Sequence, residues 1–172
     1  MARSEWVCDD AWRVILALLT PENALAIEVS LRYGMRIGDV LALKVAQVRK
    51  RYGFTYKEEK TGKRRKVVFS GDLRRRLLDI AGRVYVFEHR TDWTRHRTRQ
   101  AVYKDVRRAA VALRLDKNVT AHSARKAYAV RSLRRYGNIT RVQRLLNHSD
   151  EAVTMLYALA DVLTERSHKK LD

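Results

Sequence analysis

The chain has 172 residues, 46% hydrophobic and 33% charged, a composition that suits one folded domain with its own core and excludes a disordered chain. The single cysteine, Cys8, excludes an internal disulfide and a cysteine-rich zinc site, and the longest apolar run, Val14–Leu19, is too short to span a bilayer. With 37 Lys and Arg against 19 Asp and Glu, the net charge of +18 favours a nucleic-acid partner, because neutralising phosphates releases counterions.

The N-terminal part of the chain is predicted to be helical. Apolar residues at helical spacing from Val7 to Leu19 predict a first helix. Thr20-Pro21 is typical of a helix start, so a second helix is predicted over about residues 21–33, with Gly34 at its C-terminal end. A short third helix is predicted from Ile37 to Leu43.

Residues 44–69 change character, since they are rich in β-branched and aromatic residues and are interrupted by Tyr52-Gly53 and Thr61-Gly62. This pattern predicts three short antiparallel strands, with the second turn at residues 60–63. A helix is predicted after Gly71, ending at Gly82. Further along we predict a polar loop and then more helices: a loop at 88–99 and helices at about 98–113, 122–135, 139–146 and 150–159.

The expected architecture is therefore α+β: a mostly helical single domain with a small three-stranded antiparallel sheet. Residues 1–161 are expected to form this domain. Residues 162–172 are expected to be a C-terminal tail that is mobile or docks on a neighbouring protomer.

The sequence lacks the usual motifs of nucleotide, metal and serine chemistry, namely a glycine-rich phosphate loop, HExxH and GxSxG. Acidic residues are sparse, which argues against a two-metal nuclease, because such a site needs several carboxylates. A metal-free protein acting on phosphates must neutralise charge with its own cations. Basic side chains placed at turns and helix starts are the candidates for such chemistry: Arg36, Lys60, His122, Arg125 and His148. Tyr157 lies on the predicted helix that follows His148, and composition alone cannot single it out among eight tyrosines.

Each candidate also has an ordinary structural explanation. A single arginine in so basic a chain is more often a solvated or DNA-backbone cation than a catalytic one. A histidine at a helix start is often a cap, and Tyr157 lies among Met155, Leu156 and Leu159, which fits simple packing. The residues are persuasive as a set rather than one by one.

As a set they resemble the tyrosine recombinase family. The segment 34–43 (GMRIGDVLAL) resembles that family's first arginine box, and 59–69 (EKTGKRRKVVF) resembles its hairpin with the catalytic lysine. The segment 120–126 (TAHSARK) resembles the His-x-x-Arg box, and 145–157 (LLNHSDEAVTMLY) resembles the box that holds the second histidine and the nucleophile. The four boxes occur in the family's order, and the resemblance covers roughly residues 8–161.

The resemblance implies a catalytic domain that cleaves and rejoins DNA through a 3′-phosphotyrosine, without metal, ATP or another cofactor. Tyr157 would be the nucleophile and His122 its base. The two arginines and His148 would bind the phosphate, with Asp39 supporting Arg36. Lys60 would protonate the leaving 5′-oxygen, although the nearby Lys63 leaves the identity of this acid open.

The implied partner is double-stranded DNA, bound by a monomer that assembles into a tetramer on DNA, in the service of a mobile genetic element. Acidic residues near the N-terminus do not fit a signal peptide, so a cytoplasmic, nucleoid-associated location and no membrane partner are expected. The family's N-terminal DNA-clamping domain has no room here, so weak DNA affinity is expected of an excised fragment or a minimal enzyme. The cations expected to hold the duplex are Lys63, Arg95, Arg97, Arg99, Lys104 and Arg107.

Three other functions remain open at this point. A non-catalytic DNA-binding module could use helices 122–135 and 139–146 as a helix-turn-helix, but it would have no need of Tyr157 and Lys60. A type IB topoisomerase-like enzyme would share the chemistry, and an RNA-binding protein would fit the charge but lacks an RNA-binding signature. The DNA sequence recognised, and the choice among integration, excision and chromosome resolution, also stay open.

Overall fold

A computed structural model describes residues 4–146 of the chain. This part is mostly helical with one small antiparallel sheet, as the α+β expectation required. Its elements are α1 (Asp9–Leu18), α2 (Pro21–Tyr33), α3 (Ile37–Leu41), α4 (Val45–Val48), β1 (Phe54–Lys57), β2 (Arg64–Val67), α5 (Gly71–Asp79), α6 (Arg99–Ala112), α7 (Ala121–Tyr136) and α8 (Ile139–Leu146). None of the helices described is long and apolar enough to cross a bilayer.

The core is organised around α2, which packs against α7 on one side and against α1 and α3 on others. Pro21 occupies the first turn of α2, and Gly34 ends it in the left-handed conformation with φ 62°, as predicted. The Thr120 side chain caps the start of α7 by accepting from backbone N–H groups. These local signals fix where each helix begins and ends, and so they set the positions of the side chains at helix ends.

The sheet has two strands within the part of the chain described, and the prediction of a third strand near residues 45–48 is wrong. Val45 and Val48 instead lie in the single turn of α4, where both are buried. Residues three apart share one side of a helical turn, so this spacing buries both valines without a strand. The backbone before α4 pairs with the segment around Tyr85 through an isolated bridge, and not with the hairpin.

The hairpin itself matches the prediction for its second turn. β1 and β2 pair antiparallel, with Phe54 opposite Val67 and Lys57 opposite Arg64. Alternate residues of β1 face the core, so Phe54 and Tyr56 are buried while their neighbours are exposed. The turn therefore lies between Lys57 and Arg64.

Two predicted boundaries differ from the structure by a few residues. α3 ends at Leu41 and α5 ends at Asp79, before the Gly82 that was expected to end it. The predicted loop at 88–99 contains no helix or strand before Arg99. The predicted helix at 150–159 and the tail at 162–172 lie outside the described residues.

Candidate active site

A cleft of about 410 Å³ lies where the start of α3, the β1–β2 turn and the starts of α6 and α7 meet. Five residues proposed from the sequence line it, from three separate segments of the chain: Arg36, Asp39, Lys60, His122 and Arg125. Arg99, which was expected to bind DNA, also lines it. Two other expected site residues, His148 and Tyr157, lie outside the described residues.

Arg36 is held at the entrance of α3 by two carboxylates. Its Nη1 lies 2.9 Å from Glu58 Oε2 and 4.0 Å from Asp39 Oδ2, and its side chain is only 12% exposed. The second oxygen of Asp39, Oδ1, accepts a hydrogen bond of 2.9 Å from the backbone N–H of Glu59. Asp39 therefore lies beside Arg36, and it also contacts the backbone of the hairpin turn.

Glu58 was missed by the sequence analysis, although a signal for it was present. Phe54, Tyr56 and Glu58 are alternate residues, and all three are buried. The strand periodicity that buries the two aromatic rings continues to the carboxylate. A charged residue beside a turn is usually exposed, and only the alternation indicates that this one faces inward.

The two buried acids have pKa values shifted in opposite directions. Burial raises the pKa of Asp39 above its ordinary value, and the hydrogen bond from the Glu59 amide offsets this only in part. Burial also acts to raise the pKa of Glu58, but hydrogen bonds from Thr61 and Arg36 outweigh it and hold this pKa below its ordinary value. Glu58 is therefore ionised at neutral pH and pairs with the guanidinium.

Arg125 lies on α7 and is 1% exposed. Its Nη1 donates to the carbonyl oxygen of Gly34 at 2.7 Å, and its Nη2 donates to the carbonyl oxygen of Leu146 at 2.8 Å. Both acceptors are at helix ends, where carbonyl groups lack helical partners. Arg125 thus connects the ends of α2 and α8 and fixes the plane of its own guanidinium at the cleft.

Lys60 and His122 are exposed, unlike Arg36, Asp39 and Arg125 in the same cleft. Lys60 lies in the turn after β1, which two backbone hydrogen bonds close: Glu58 N–H to Lys63 O, and Gly62 N–H to Glu58 O, both 2.9 Å. His122 is the second residue of α7, and its backbone N–H donates to the capping Thr120 hydroxyl at 3.2 Å. Lys60 lines the cleft and Lys63 does not, which favours Lys60 for a role there.

Tyr56 adds a buried neutral group beside this cleft. Its buried hydroxyl has no hydrogen-bond partner among the described residues, and the residue lines a second cleft of about 270 Å³ that Asp39 and Arg99 also line. Burial raises the pKa of this hydroxyl to about 12, so the phenol stays protonated at neutral pH.

The cations expected to bind DNA fall into two groups. Four of them are exposed: Lys63, Arg95, Arg99 and Lys104. Arg97 instead donates to Asn23 Oδ1 at 3.2 Å and pairs with Glu22 at 3.7 Å. Arg107 donates to Asn118 Oδ1 at 3.1 Å. These two side chains therefore hold segments of the fold together, a role that counting charges along the sequence could not reveal.

Within residues 4–146, no group of three or more His, Cys, Asp and Glu side chains is arranged to hold a metal ion.

Comparison with known proteins gives consistent matches. Residues 11–162 match the sequence profile described as the phage integrase family. The probable integrase/recombinase YoeC of Bacillus subtilis is 30% identical over 140 residues, which are 80% of this chain and 77% of that protein. The tyrosine recombinase XerD of Staphylococcus saprophyticus is 25% identical over 166 residues, and the match spans only 55% of that protein.

A solved structure gives the same fold. A lambda integrase dimer bound to a COC′ core site superposes with a TM-score of 0.73 over 90% of this chain and 60% of that one, at 20% identity.

Proposed function

The chain belongs to the phage integrase family, and on this premise we propose that it is the catalytic part of a site-specific DNA recombinase that cleaves and rejoins strands through a covalent bond to Tyr157. One observation carries the proposal: Arg36, Lys60, His122 and Arg125 border a single cleft although up to 89 residues separate them (125 − 36). Side chains that only solvate a basic surface have no reason to converge in this way.

The two arginines supply the charge that phosphoryl transfer needs. A phosphodiester under attack becomes five-coordinate, and negative charge builds on its non-bridging oxygens. A planar guanidinium can donate two parallel hydrogen bonds to such oxygens. The contacts of Arg36 with Glu58, and of Arg125 with two helix ends, hold both groups in place before the phosphate arrives. Each preorganised donor of this kind contributes roughly 3 to 4 kcal/mol to transition-state binding.

In the proposed reaction the Tyr157 oxygen bonds to phosphorus as the bond from phosphorus to the 5′-oxygen breaks. The phenolic proton passes to His122, since a phenol with a pKa of about 10 needs a base at neutral pH. The departing 5′-oxygen takes a proton from Lys60, because an alkoxide is a poor leaving group. His148 donates a hydrogen bond to a phosphate oxygen. The products are a 3′-phosphotyrosine and a free 5′-hydroxyl, and attack by a 5′-hydroxyl reverses the step.

Double-stranded DNA is the proposed substrate. The net charge of +18 and the position of Arg99 at the rim of the cleft support this, because DNA held over the cleft would bring a phosphate to the two arginines. The structural match to a lambda integrase dimer on its core site supports the same substrate. We propose that the chain is a monomer when free and joins three copies of itself on paired duplexes, as exchange between two duplexes requires four strand cleavages.

The test is formation of a covalent adduct. The protein is incubated in EDTA with end-labelled duplexes nicked at random positions, and adducts are resolved on a denaturing gel. Wild type and Tyr103→Phe, a control at a half-exposed tyrosine outside the cleft, are expected to form the adduct, whereas Tyr157→Phe forms none. Arg36→Ala is expected to slow its formation by about two to three orders of magnitude. Labelled adduct in Tyr157→Phe, or none in the wild type, would refute the proposal.

A further inference from the structure

Glu58 lies beneath the cleft with an exposed fraction of zero. One carboxylate oxygen, Oε2, serves two partners, since it lies 2.9 Å from Arg36 Nη1 and accepts a hydrogen bond of 2.7 Å from the Thr61 hydroxyl. Arg36 stands at the start of α3 and Thr61 stands in the hairpin turn, next to Lys60. A single buried atom therefore joins the segment that carries the arginine to the segment that carries the lysine.

The backbone of Glu58 takes part in the same turn. Its N–H donates to Lys63 O, and its carbonyl accepts from Gly62 N–H, so the residues between are closed into a loop. Gly62 adopts φ 67°, a left-handed conformation that suits glycine at a tight turn. Both the backbone and the side chain of Glu58 thus hold the turn that carries the exposed Lys60.

We propose that Glu58 is a positioning residue, which holds Arg36 and the Lys60 turn in one fixed relation so that phosphate binding and leaving-group protonation are set up together. This inference rests on the function proposed above. The carboxylate stays beneath the cleft and does not itself touch the DNA. Its removal takes away the carboxylate that lies 2.9 Å from the Arg36 guanidinium, and small displacements at a reacting centre are known to cost large factors in rate.

A purely structural role for Glu58 is the alternative, and Glu28 offers the matched control. Glu28 also lies largely buried and pairs with arginines, at 2.6 Å from Arg76 and 2.8 Å from Arg32, but outside the cleft. Glu28→Gln and Glu58→Gln therefore make the same chemical change to a carboxylate that pairs with arginine, although the arginines beside Glu28 are 42% and 47% exposed and Arg36 is 12% exposed. Of the two carboxylates, only Glu58 pairs with an arginine that lines the cleft.

The first measurement is the rate of covalent adduct formation at saturating DNA, together with DNA affinity. Glu58→Gln is expected to lower the rate by about tenfold or more, the effect of losing one hydrogen bond to a charged group, with affinity kept within about twofold. Glu28→Gln is expected to keep both within about twofold. Equal slowing in both variants, or a Glu58→Gln rate at or above wild type, would overturn the proposal.

The second measurement separates the lysine from the arginine. Thr61→Val removes the hydroxyl that binds Glu58 but keeps the Arg36 contact, and Thr61→Ser keeps the hydroxyl. On ordinary DNA, Thr61→Val is expected to react about tenfold more slowly than Thr61→Ser. DNA with a bridging 5′-sulfur should remove this difference, because a thiolate leaves without needing an acid. A defect that persists on the sulfur substrate, or no defect at all, would overturn the link to Lys60.

If Glu58→Gln fails to fold, the comparison of Thr61→Val with Thr61→Ser still tests the positioning role of Glu58. Tyr157→Phe tests the proposed function separately from the positioning role of Glu58. If the wild type forms an adduct and Tyr157→Phe does not, the function stands whatever the Glu58 and Thr61 variants do. The variants then judge the positioning role alone.

Discussion

Gly34 links the fold to the cleft, and its replacement by alanine tests that link. The residue ends α2 with φ 62°, and a Cβ added there would lie 2.4 Å from the Tyr128 ring. Its carbonyl oxygen accepts the 2.7 Å hydrogen bond from Arg125 Nη1. Gly34→Ala therefore strains the backbone and crowds a ring beside the arginine that is proposed to bind phosphate.

Gly137 allows the two effects to be separated. It ends α7 in almost the same conformation, with φ 63°, but a Cβ added there would meet no atom within 4 Å. Gly137→Ala should therefore lower the free energy of unfolding by about 1–2 kcal/mol, the cost of a left-handed alanine alone. Gly34→Ala carries the same cost plus about 1–3 kcal/mol of overpacking, so a total of about 2–5 kcal/mol is expected.

Urea unfolding of both variants measures these free energies, with adduct formation measured alongside. The double variant Gly34→Ala/Tyr128→Ala should be more stable than the two single changes predict when summed, by about 1–3 kcal/mol, because the clash needs both groups. Gly34→Ala should slow adduct formation, while Gly137→Ala should not. Equal destabilisation by the two alanines, without coupling to Tyr128, would refute the reasoning.

Two further predictions concern stability and DNA binding. Burial acts to raise the pKa of Asp105, but hydrogen bonds from Asn23 and Thr20 outweigh it, so this pKa lies below its ordinary value. The ionised Asp105 therefore stabilises the folded state fully above about pH 3.9, and this stabilisation is lost as pH falls through the folded-state pKa. Asp105→Asn should therefore lower the free energy of unfolding by about 1.5–3 kcal/mol at neutral pH. Urea unfolding should show that this difference in free energy between wild type and variant becomes smaller in acid. A difference that does not change with pH would contradict the reasoning. Arg99→Ala should reduce the slope of log DNA affinity against log salt concentration by about one, because Arg99 lines the cleft. Arg97→Ala should instead lower the free energy of unfolding and leave that slope unchanged, because Arg97 bonds to Asn23. The opposite pattern in salt titrations would show that the two arginines are wrongly assigned.

The elements predicted correctly are those that depend on local signals. α2 begins at Pro21 and ends before Gly34, because proline restricts the backbone at its own position and glycine permits the left-handed conformation at its own. The error at Val45 and Val48 has a different origin. Their β-branched side chains favour a strand by propensity, whereas their spacing of three places them on one side of a helical turn but on opposite faces of a strand. Their surroundings decided between these, because the backbone beside them bonds to residues 84–86 rather than to the hairpin.

The candidate site divides in the same way. The order of four short motifs along the chain was enough to nominate Arg36, Lys60, His122 and Arg125, because each motif is a contiguous stretch of residues. Their arrangement was not contained in those motifs. The motifs do not distinguish Glu58 from other charged residues beside a turn, and its contact with Arg36 is seen only in the structure.

The amino-acid sequence alone determined the two ends of α2, the hairpin turn, the basic character and the family resemblance, since all of these are properties of neighbouring residues or of composition. Tertiary structure alone decided which charges are buried and what each one contacts. Arg125, for example, bonds to a carbonyl oxygen 91 residues away. Such contacts form only when packing of the core brings distant segments together, and that packing depends on the whole chain at once.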